Sequence, residues 1–205
     1  MPTIVVPFRG TADKSRLAPA PPDARSRLAM AMLADVLFAC APVGRTLLVT
    51  SQEAEDAHAL ARFLGVEVVA DPGRGQGEAV AAALAHVGAG PVLVLNSDLP
   101  CAVPRDVFAL LGAMPAGGVA LVRAEDGTTN ALALAAGWLF SQAYGPGSAD
   151  RFAERARRLG VKVAEVDLPN LADDVDSLAD LERIEGRVGP WTEGSLLALR
   201  AAIAR

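Results

Sequence analysis

Short runs of β-branched and aliphatic residues alternate along this chain with longer segments whose apolar residues recur at helical spacing. The first run, Thr3–Pro7, reads TIVVP, and Val92–Leu95 is also apolar throughout. Uninterrupted apolar runs of this length are typical of strands covered on both faces, as in a parallel sheet. The alternation predicts an α/β fold, a Rossmann-like, mostly parallel sheet with helices on both faces. Such sheets bind ligands at the carboxyl ends of their strands, where the strand order reverses.

The predicted elements extend through the whole chain. Strands are predicted at Thr3–Pro7, Thr46–Thr50, Val66–Ala70, Val92–Leu95, Val119–Val122 and Val161–Val166. Helices are predicted at about Leu28–Cys40, Glu53–Leu64, Glu78–Val87, Arg105–Met114, Ala149–Leu159 and 192–204. A further short helix is predicted after the N-cap residue Ser177, with Asp180 completing a capping box. The turn formers in Glu125–Asn130 predict a turn or loop there. Because no internal repeat or long linker interrupts the chain, residues 1–205 are predicted to form one domain.

Composition limits the class of partner. The net charge of −5 argues against a general nucleic-acid binder, because such proteins are usually basic. No apolar run reaches the roughly 18 residues that a membrane-spanning helix needs, and the amino terminus begins as a strand rather than as a signal peptide. Two cysteines in 205 residues are too few for a disulfide scaffold. We therefore expect a cytoplasmic protein with no nucleic-acid or membrane partner, and the sequence leaves a homo-oligomer open.

A cationic loop follows the first predicted strand. Its candidate functional residues are Pro7, Arg9, Gly10, Lys14, Ser15 and Arg16. Cations and backbone N–H groups past the end of a strand can cradle a triphosphate, although a solvated surface loop is the alternative. The P-loop pattern GxxxxGK[ST] is absent. Of 19 basic residues only Lys14 and Lys162 are lysine, and a compact, mobile ammonium suits a phosphate whose charge changes during a reaction.

Three aspartates are candidate ligands for Mg²⁺. Asp98 follows Val92–Leu95 and would emerge at the binding edge of the sheet. Asp174 and Asp176 would point the same way if the backbone between them is extended, and two carboxylates on one face repel each other unless a cation lies between them. Mg²⁺ needs only one or two carboxylates besides phosphate oxygens and water. Helix capping and solvated turns are the alternative interpretations.

Two further sets of residues could contact a small ligand. Gly73–Glu78 has glycines at alternate positions before a helix, including Gly75 and Gly77, which permits close approach of backbone to ligand. It lacks the dinucleotide fingerprint and could equally be a flexible connection. The second set consists of Thr128, Thr129, Asn130, Gly145 and Ser148. These residues could hold a phosphate or carboxylate, but such residues are also common in ordinary turns.

Taken in order, these segments resemble the 2-phospho-L-lactate guanylyltransferase family, which acts in the biosynthesis of the deazaflavin coenzyme F(420). The matching segments are Pro7–Leu17 (PFRGTADKSRL), Ser97–Pro100 (SDLP), Gly127–Leu132 (GTTNAL), Tyr144–Ser148 (YGPGS) and Asp174–Leu181 (DVDSLADL). Each segment is short, so the specificity of the resemblance comes from the ordered set, which spans roughly residues 1–182.

The resemblance implies a glycosyltransferase-A-like nucleotidyltransferase with a mixed, mostly parallel sheet. It would transfer GMP from GTP to the phosphate of 2-phospho-L-lactate, phosphoenolpyruvate or 3-phosphoglycerate and release pyrophosphate. The catalytic cations would be Lys14, Arg16 and Arg9. The cofactor would be Mg²⁺, held by Asp98, Asp174 and Asp176. The nucleotide would contact Pro7, Gly10, Ser15, Gly75, Gly77, Glu78 and Ser97, and the acid would contact Thr129, Asn130, Gly145 and Ser148.

The chain departs from the family pattern at two places. Arg9 stands where the family often has lysine, which keeps the charge but changes its geometry. Gln76 and Gly77 stand where the family usually has Leu-Asn, in a loop expected to contact the base. The competing interpretations are a nucleotidyltransferase with another base or acceptor, of the cytidylyl or sugar-phosphate type, and a non-catalytic nucleotide-binding protein, against which the set Lys14, Asp98, Asp174 and Asp176 speaks. An NAD oxidoreductase is more distant because its fingerprint is missing.

Overall fold

A computed structural model describes residues 1–10, 17 and 20–203, and the side chains up to residue 200. Its centre is a sheet of seven strands in the spatial order β3-β2-β1-β4-β6-β5-β7. The strands are β1 Thr3–Pro7, β2 Arg45–Thr50, β3 Glu67–Ala70, β4 Val92–Leu95, β5 Val119–Arg123, β6 Thr129–Leu134 and β7 Val163–Glu165. Only β6 runs against its neighbours β4 and β5, so the predicted mixed, mostly parallel sheet is confirmed.

Helices flank this sheet on both faces, as the sequence predicts. They are α1 Pro22–Cys40, α2 Glu55–Leu64, α3 Gln76–Leu84, α4 Pro104–Ala113, α5 Ser148–Arg158, α6 Pro169–Ala172, α7 Leu178–Arg183 and α8 Pro190–Ile203. None of the helices in the described part of the chain is long and apolar enough to cross a membrane.

The core lies in two layers, one on each side of the sheet. Successive residues of β1 point into different layers: Ile4 belongs to the layer that contains α1, while Val5 belongs to the layer that contains α3 and α5. This is the alternation that a strand with two covered faces requires. The continuous apolar run of β1 is thus explained by a strand that is buried on both faces, and not by a buried helical segment.

Several predicted boundaries shift by a few residues, and one segment changes type. The first helix begins at Pro22, six positions before the predicted start, because proline is well tolerated in the first turn of a helix. Thr129 and Asn130, predicted to end a loop, instead begin strand β6. The prediction was wrong because both side chains are polar, and the apolar residues of this strand start only at Ala131. The predicted capping box of Ser177 and Asp180 is confirmed.

The carboxyl-terminal helix α8 is anchored on α1. Asp35 of α1 is buried and accepts hydrogen bonds from the backbone N–H groups of Trp191 at 3.2 Å and Thr192 at 2.9 Å. Gly189, just before α8, donates its N–H to the carbonyl oxygen of Pro100 at 2.7 Å. A single carboxylate of α1 therefore caps a helix that lies more than 150 positions later in the chain.

Candidate active site

The candidate site lies where the strand order reverses between β1 and β4. The carboxyl ends of these two neighbouring strands open into a cleft of about 190 Å³. The cleft is lined by residues from the end of β1, from α1, from the start of α3, from the end of β4 and from the segment before α7. They are Pro7, Phe8, Arg9, Gly10, Ala29, Met32, Gln76, Asn96, Ser97, Asp98 and Asp176. This is the position at which open α/β sheets bind ligands.

The three predicted metal-binding aspartates converge on this edge of the sheet. Asp98 and Asp176 line the same cleft, and the backbone N–H of Val175 donates to the carbonyl oxygen of Asp98 at 3.0 Å. Burial raises the pKa of Asp174 to about 6, and the carboxylates of Asp98 and Asp176 add to that rise. The two segments, far apart in sequence, are therefore close enough for their charges to interact.

The donor chemistry of this cluster fits Mg²⁺, because every candidate ligand is a carboxylate oxygen. The negative charges of Asp98 and Asp176 raise the pKa of Asp174, and a cation between these carboxylates would offset their repulsion. Across the described residues, no three acidic, histidine or cysteine side chains already surround a space for a metal ion. The aspartates could supply part of a ligand set, which the phosphate oxygens of a bound ligand would complete.

A chain of side-chain amides connects the start of α3 with Asp174. Nε2 of Gln76 donates to Oδ1 of Asn96 at 2.7 Å, and Nδ2 of Asn96 donates to Oδ1 of Asn130 and to the carbonyl oxygen of Thr129, both at 3.3 Å. Nδ2 of Asn130 then donates to the carbonyl oxygen of Ala172 at 2.9 Å and to Oδ1 of Asp174 at 3.2 Å. We call Gln76, Asn96 and Asn130 the amide chain.

The predicted acid-binding residues also come together. The buried hydroxyls of Ser148 and Thr129 lie 3.0 Å apart in a hydrogen bond, and the N–H of Ser148 donates to the carbonyl oxygen of Gly145 at 2.9 Å. Because β6 is antiparallel to β4, its first residues rather than its last reach the ligand-binding edge. This direction brings Thr129 and Asn130 beside the end of β4.

A second cleft of about 360 Å³ involves both Arg9 and Gln76, which also line the first. It contains the predicted residues Gly75, Gly77, Glu78 and Gly145. Gly75 has φ +101°, a conformation that favours glycine. A Cβ on Gly77 would lie 3.0 Å from the Cβ of Gln142, so the start of α3 packs closely on the loop before α5.

The cationic loop is only partly described. Arg9 and Gly10 line the first cleft, as predicted. Lys14, Ser15 and Arg16 lie outside the described residues, so their placement stays a prediction.

Residues 2–186 match the model of the family described as "Guanylyl transferase CofC like". The chain belongs to this family. A phosphoenolpyruvate guanylyltransferase of Nocardia farcinica is 38% identical over 83% of this chain and 78% of its own length. A 2-phospho-L-lactate guanylyltransferase of Halomicrobium mukohataei is 36% identical over 98% and 96%.

Solved structures place this member of the guanylyl transferase family among nucleotidyltransferase-type folds. A Desulfovibrio desulfuricans G20 protein provisionally described as a nucleotide-diphospho-sugar transferase aligns with a TM-score of 0.78 and 18% identity, over 99% of this chain and 96% of that one. CMP:2-keto-3-deoxy-manno-octonic acid synthetase, solved with CTP, aligns with a TM-score of 0.56 and 15% identity, over 89% and 96%. Both likenesses concern the fold.

Two residues of the site escape prediction from the sequence. Asn96 directly follows β4, and its place between the strand and Ser97-Asp98 was the available signal. Arg151 of α5 donates its guanidinium hydrogens to the carbonyl oxygens of Ala143, Tyr144, Gly145 and Pro146. It thereby holds the loop that carries Gly145, and no sequence pattern marks it among the other arginines of α5.

Proposed function

We propose that this protein transfers GMP from GTP to the phosphate of a small phosphorylated acid and releases pyrophosphate. The candidate acceptors are phosphoenolpyruvate, 2-phospho-L-lactate and 3-phosphoglycerate, and the pathway is that of coenzyme F(420). Family membership supports guanylyl transfer. The observation that carries the proposal is the meeting of the ends of β1 and β4 with Asp174 and Asp176 in one region beside the cleft.

In the proposed reaction an oxygen of the acceptor phosphate attacks the α-phosphorus of GTP. The bond from the α-phosphorus to the bridging oxygen of the β-phosphate breaks, and pyrophosphate leaves with that electron pair. A phosphate monoester is largely dianionic at neutral pH, because its second pKa is about 6. The attacking oxygen therefore needs no general base, and the protein's task is to align two anions that repel each other.

The protein's own residues divide this task. Arg9 borders both clefts, and we assign it, with Lys14 and Arg16 of the same loop, to the phosphate oxygens of the triphosphate. We assign the acid to Thr129, Ser148 and the backbone near Gly145, which are hydrogen-bonded to one another. Asp98, Asp174 and Asp176 would hold Mg²⁺, which when bound supplies positive charge to the phosphate oxygens.

One assay tests the proposed function as a whole. Protein, GTP and Mg²⁺ are mixed with each of the three acids in turn, and pyrophosphate release is measured. We expect release with at least one acid and none without an acid. Binding of GTP with no pyrophosphate from any acid would instead identify a nucleotide-binding protein that does not turn over.

Lys14→Ala should lower kcat/KM by at least about 100-fold, which corresponds to about 2.7 kcal/mol of transition-state stabilisation. The variant removes an ammonium that we place on the triphosphate, where its attraction increases as negative charge moves to the leaving group. The matched control is Lys162→Ala, which removes the exposed second lysine of the chain. Near-normal turnover of Lys14→Ala would show that Lys14 does not act in the active site.

Chelation of divalent cations should abolish turnover. We expect EDTA to reduce pyrophosphate release to background and added Mg²⁺ to restore it, because the aspartates alone would repel the triphosphate. The melting temperature, measured with and without EDTA, separates loss of activity from unfolding. Full turnover in EDTA would show that the reaction does not need a metal bound to the aspartates.

A further inference from the structure

The amide chain has a direction that the surrounding groups determine. Side-chain amides carry an oxygen that accepts and a nitrogen that donates, so each could in principle be turned by 180°. Backbone carbonyl oxygens can only accept hydrogen bonds. Two of them, those of Ala172 and Thr129, contact the amide chain at 2.9 Å and 3.3 Å.

These two carbonyls orient every amide in the chain. The carbonyl of Ala172 requires the nitrogen of Asn130, which leaves the oxygen of Asn130 facing Asn96. The carbonyl of Thr129 and the oxygen of Asn130 both require the nitrogen of Asn96, which leaves its oxygen facing Gln76. Gln76 must then direct its own nitrogen to Asn96, at 2.7 Å.

The oxygen of Gln76 is therefore available to a ligand. Gln76 is half-buried and borders both clefts of the site. Within residues 1–10, 17 and 20–203, no hydrogen bond to Oε1 of Gln76 is found. The backbone around it is held by Gly75 at φ +101° and by the close packing of Gly77 on Gln142. The site thus presents an oriented acceptor rather than an amide that can turn.

We infer that Gln76 is a specificity-determining residue that accepts a hydrogen bond from guanine, and that Asn96 is the positioning residue that orients it. This inference rests on the proposed guanylyl transfer. The Watson–Crick edge of guanine carries two adjacent donors, N1–H and the 2-amino group, whereas N1 of adenine is an acceptor. An acceptor oxygen held opposite position 1 of the base attracts N1–H of guanine and repels N1 of adenine, and adenine has no amino group at position 2 that could replace the lost hydrogen bond. Sites built on such complementarity discriminate strongly, because the wrong ligand leaves buried polar groups unpaired.

The test is the ratio of kcat/KM for GTP to that for ATP, measured with the acid that the wild type uses best. Wild type should favour GTP, and Gln76→Ala and Asn96→Ala should each lower the ratio by at least about 10-fold. The matched controls Gln52→Ala, at an exposed position, and Asn170→Ala, whose amide contacts Asp106 outside the amide chain, should leave it unchanged.

Asn96→Asp separates positioning from a merely structural role. An aspartate still offers Gln76 an oxygen that can only accept, so the orientation of Gln76 persists although the bonds to Thr129 and Asn130 are lost. We expect this variant to lose turnover with both nucleotides but to keep the GTP-to-ATP ratio within about 3-fold of wild type. Melting temperatures of all variants report whether they are folded.

Three results would overturn the inference. The first is a wild-type protein with no preference for GTP over ATP. The second is a folded Gln76→Ala variant that keeps the wild-type GTP-to-ATP ratio. The third is a GTP-to-ATP ratio that falls equally in Asn96→Ala and Asn96→Asp. If the wild type releases pyrophosphate with none of the nucleotides and acids, the proposed function itself fails. Turnover of GTP with unaltered ratios in the variants would overturn only the assignment of Gln76 and Asn96.

Discussion

Asp98→Asn is expected to lower kcat/KM for GMP transfer by at least about 1000-fold, or about 4 kcal/mol. The substitution keeps the size of the side chain and removes its charge. Asp98 lies at the end of β4, lines the first cleft and is close enough to Asp174 to raise the pKa of that carboxyl. Without it, the cluster loses a negative charge that we assign to holding the metal against the triphosphate.

The same substitution should have little effect on stability. Asp98→Asn relieves repulsion within the aspartate cluster, so we expect a melting temperature equal to or above that of wild type. The matched control is Asp167→Asn, at an exposed position between β7 and α6, which should leave both turnover and stability unchanged. Pyrophosphate release measured across a range of Mg²⁺ concentrations checks the assignment. Turnover of Asp98→Asn within 10-fold of wild type would contradict it.

Gly189→Ala should destabilise the fold by about 3 kcal/mol and lower the melting temperature by about 6–12 °C. A Cβ at this position would lie within 2.9 Å of both carboxylate oxygens of Asp35. Asp35 is only 4% exposed and cannot move aside without giving up its hydrogen bonds to Trp191 and Thr192. The cost is then a lost helix cap together with buried N–H groups left unpaired.

Gly194→Ala is the matched control within the same helix. Gly194 lies inside α8, and a Cβ there meets no heavy atom within 4 Å. Because alanine favours a helix interior over glycine, this variant should stabilise the fold by about 0.5–1 kcal/mol. Thermal and urea unfolding of both variants test the pair. A Gly189→Ala protein as stable as wild type would show that α8 is not anchored through Asp35.

The sequence was most informative where local patterns suffice. The apolar runs of β1 and β4 predict buried parallel strands, and the strand ends then predict where Arg9 and Asp98 lie. Ser177 and Asp180 predict their own capping box, because all the interacting groups lie within three residues of one another. In each case short-range chemistry determines the result.

The features of the fold and the site that the sequence did not predict depend on contacts between segments distant in the chain. Strand β6 starts with polar residues, and its pairing with β5, in which Thr129 lies opposite Arg123, is what shows that the strand begins there. Gln76 bonds Asn96 across 20 positions, and Asp35 bonds Thr192 across 157. No periodicity or propensity records such partners, because the hydrogen bonds exist only once the sheet has assembled.

The reversed direction of β6 has a consequence for how this family can diversify. The hairpin turn between β5 and β6 contains Glu125 and Asp126, which line a further cleft together with Asp174 and Asp176. The carbonyl oxygen of Gly127 in this turn accepts a hydrogen bond from the N–H of Ala149, the neighbour of Ser148, which we assign to the acid. Connections of this kind tolerate insertions and substitutions far better than the strands they join. We therefore expect acceptor choice to change through the length and charge of one turn, while the strands that precede Arg9 and Asp98 stay as they are.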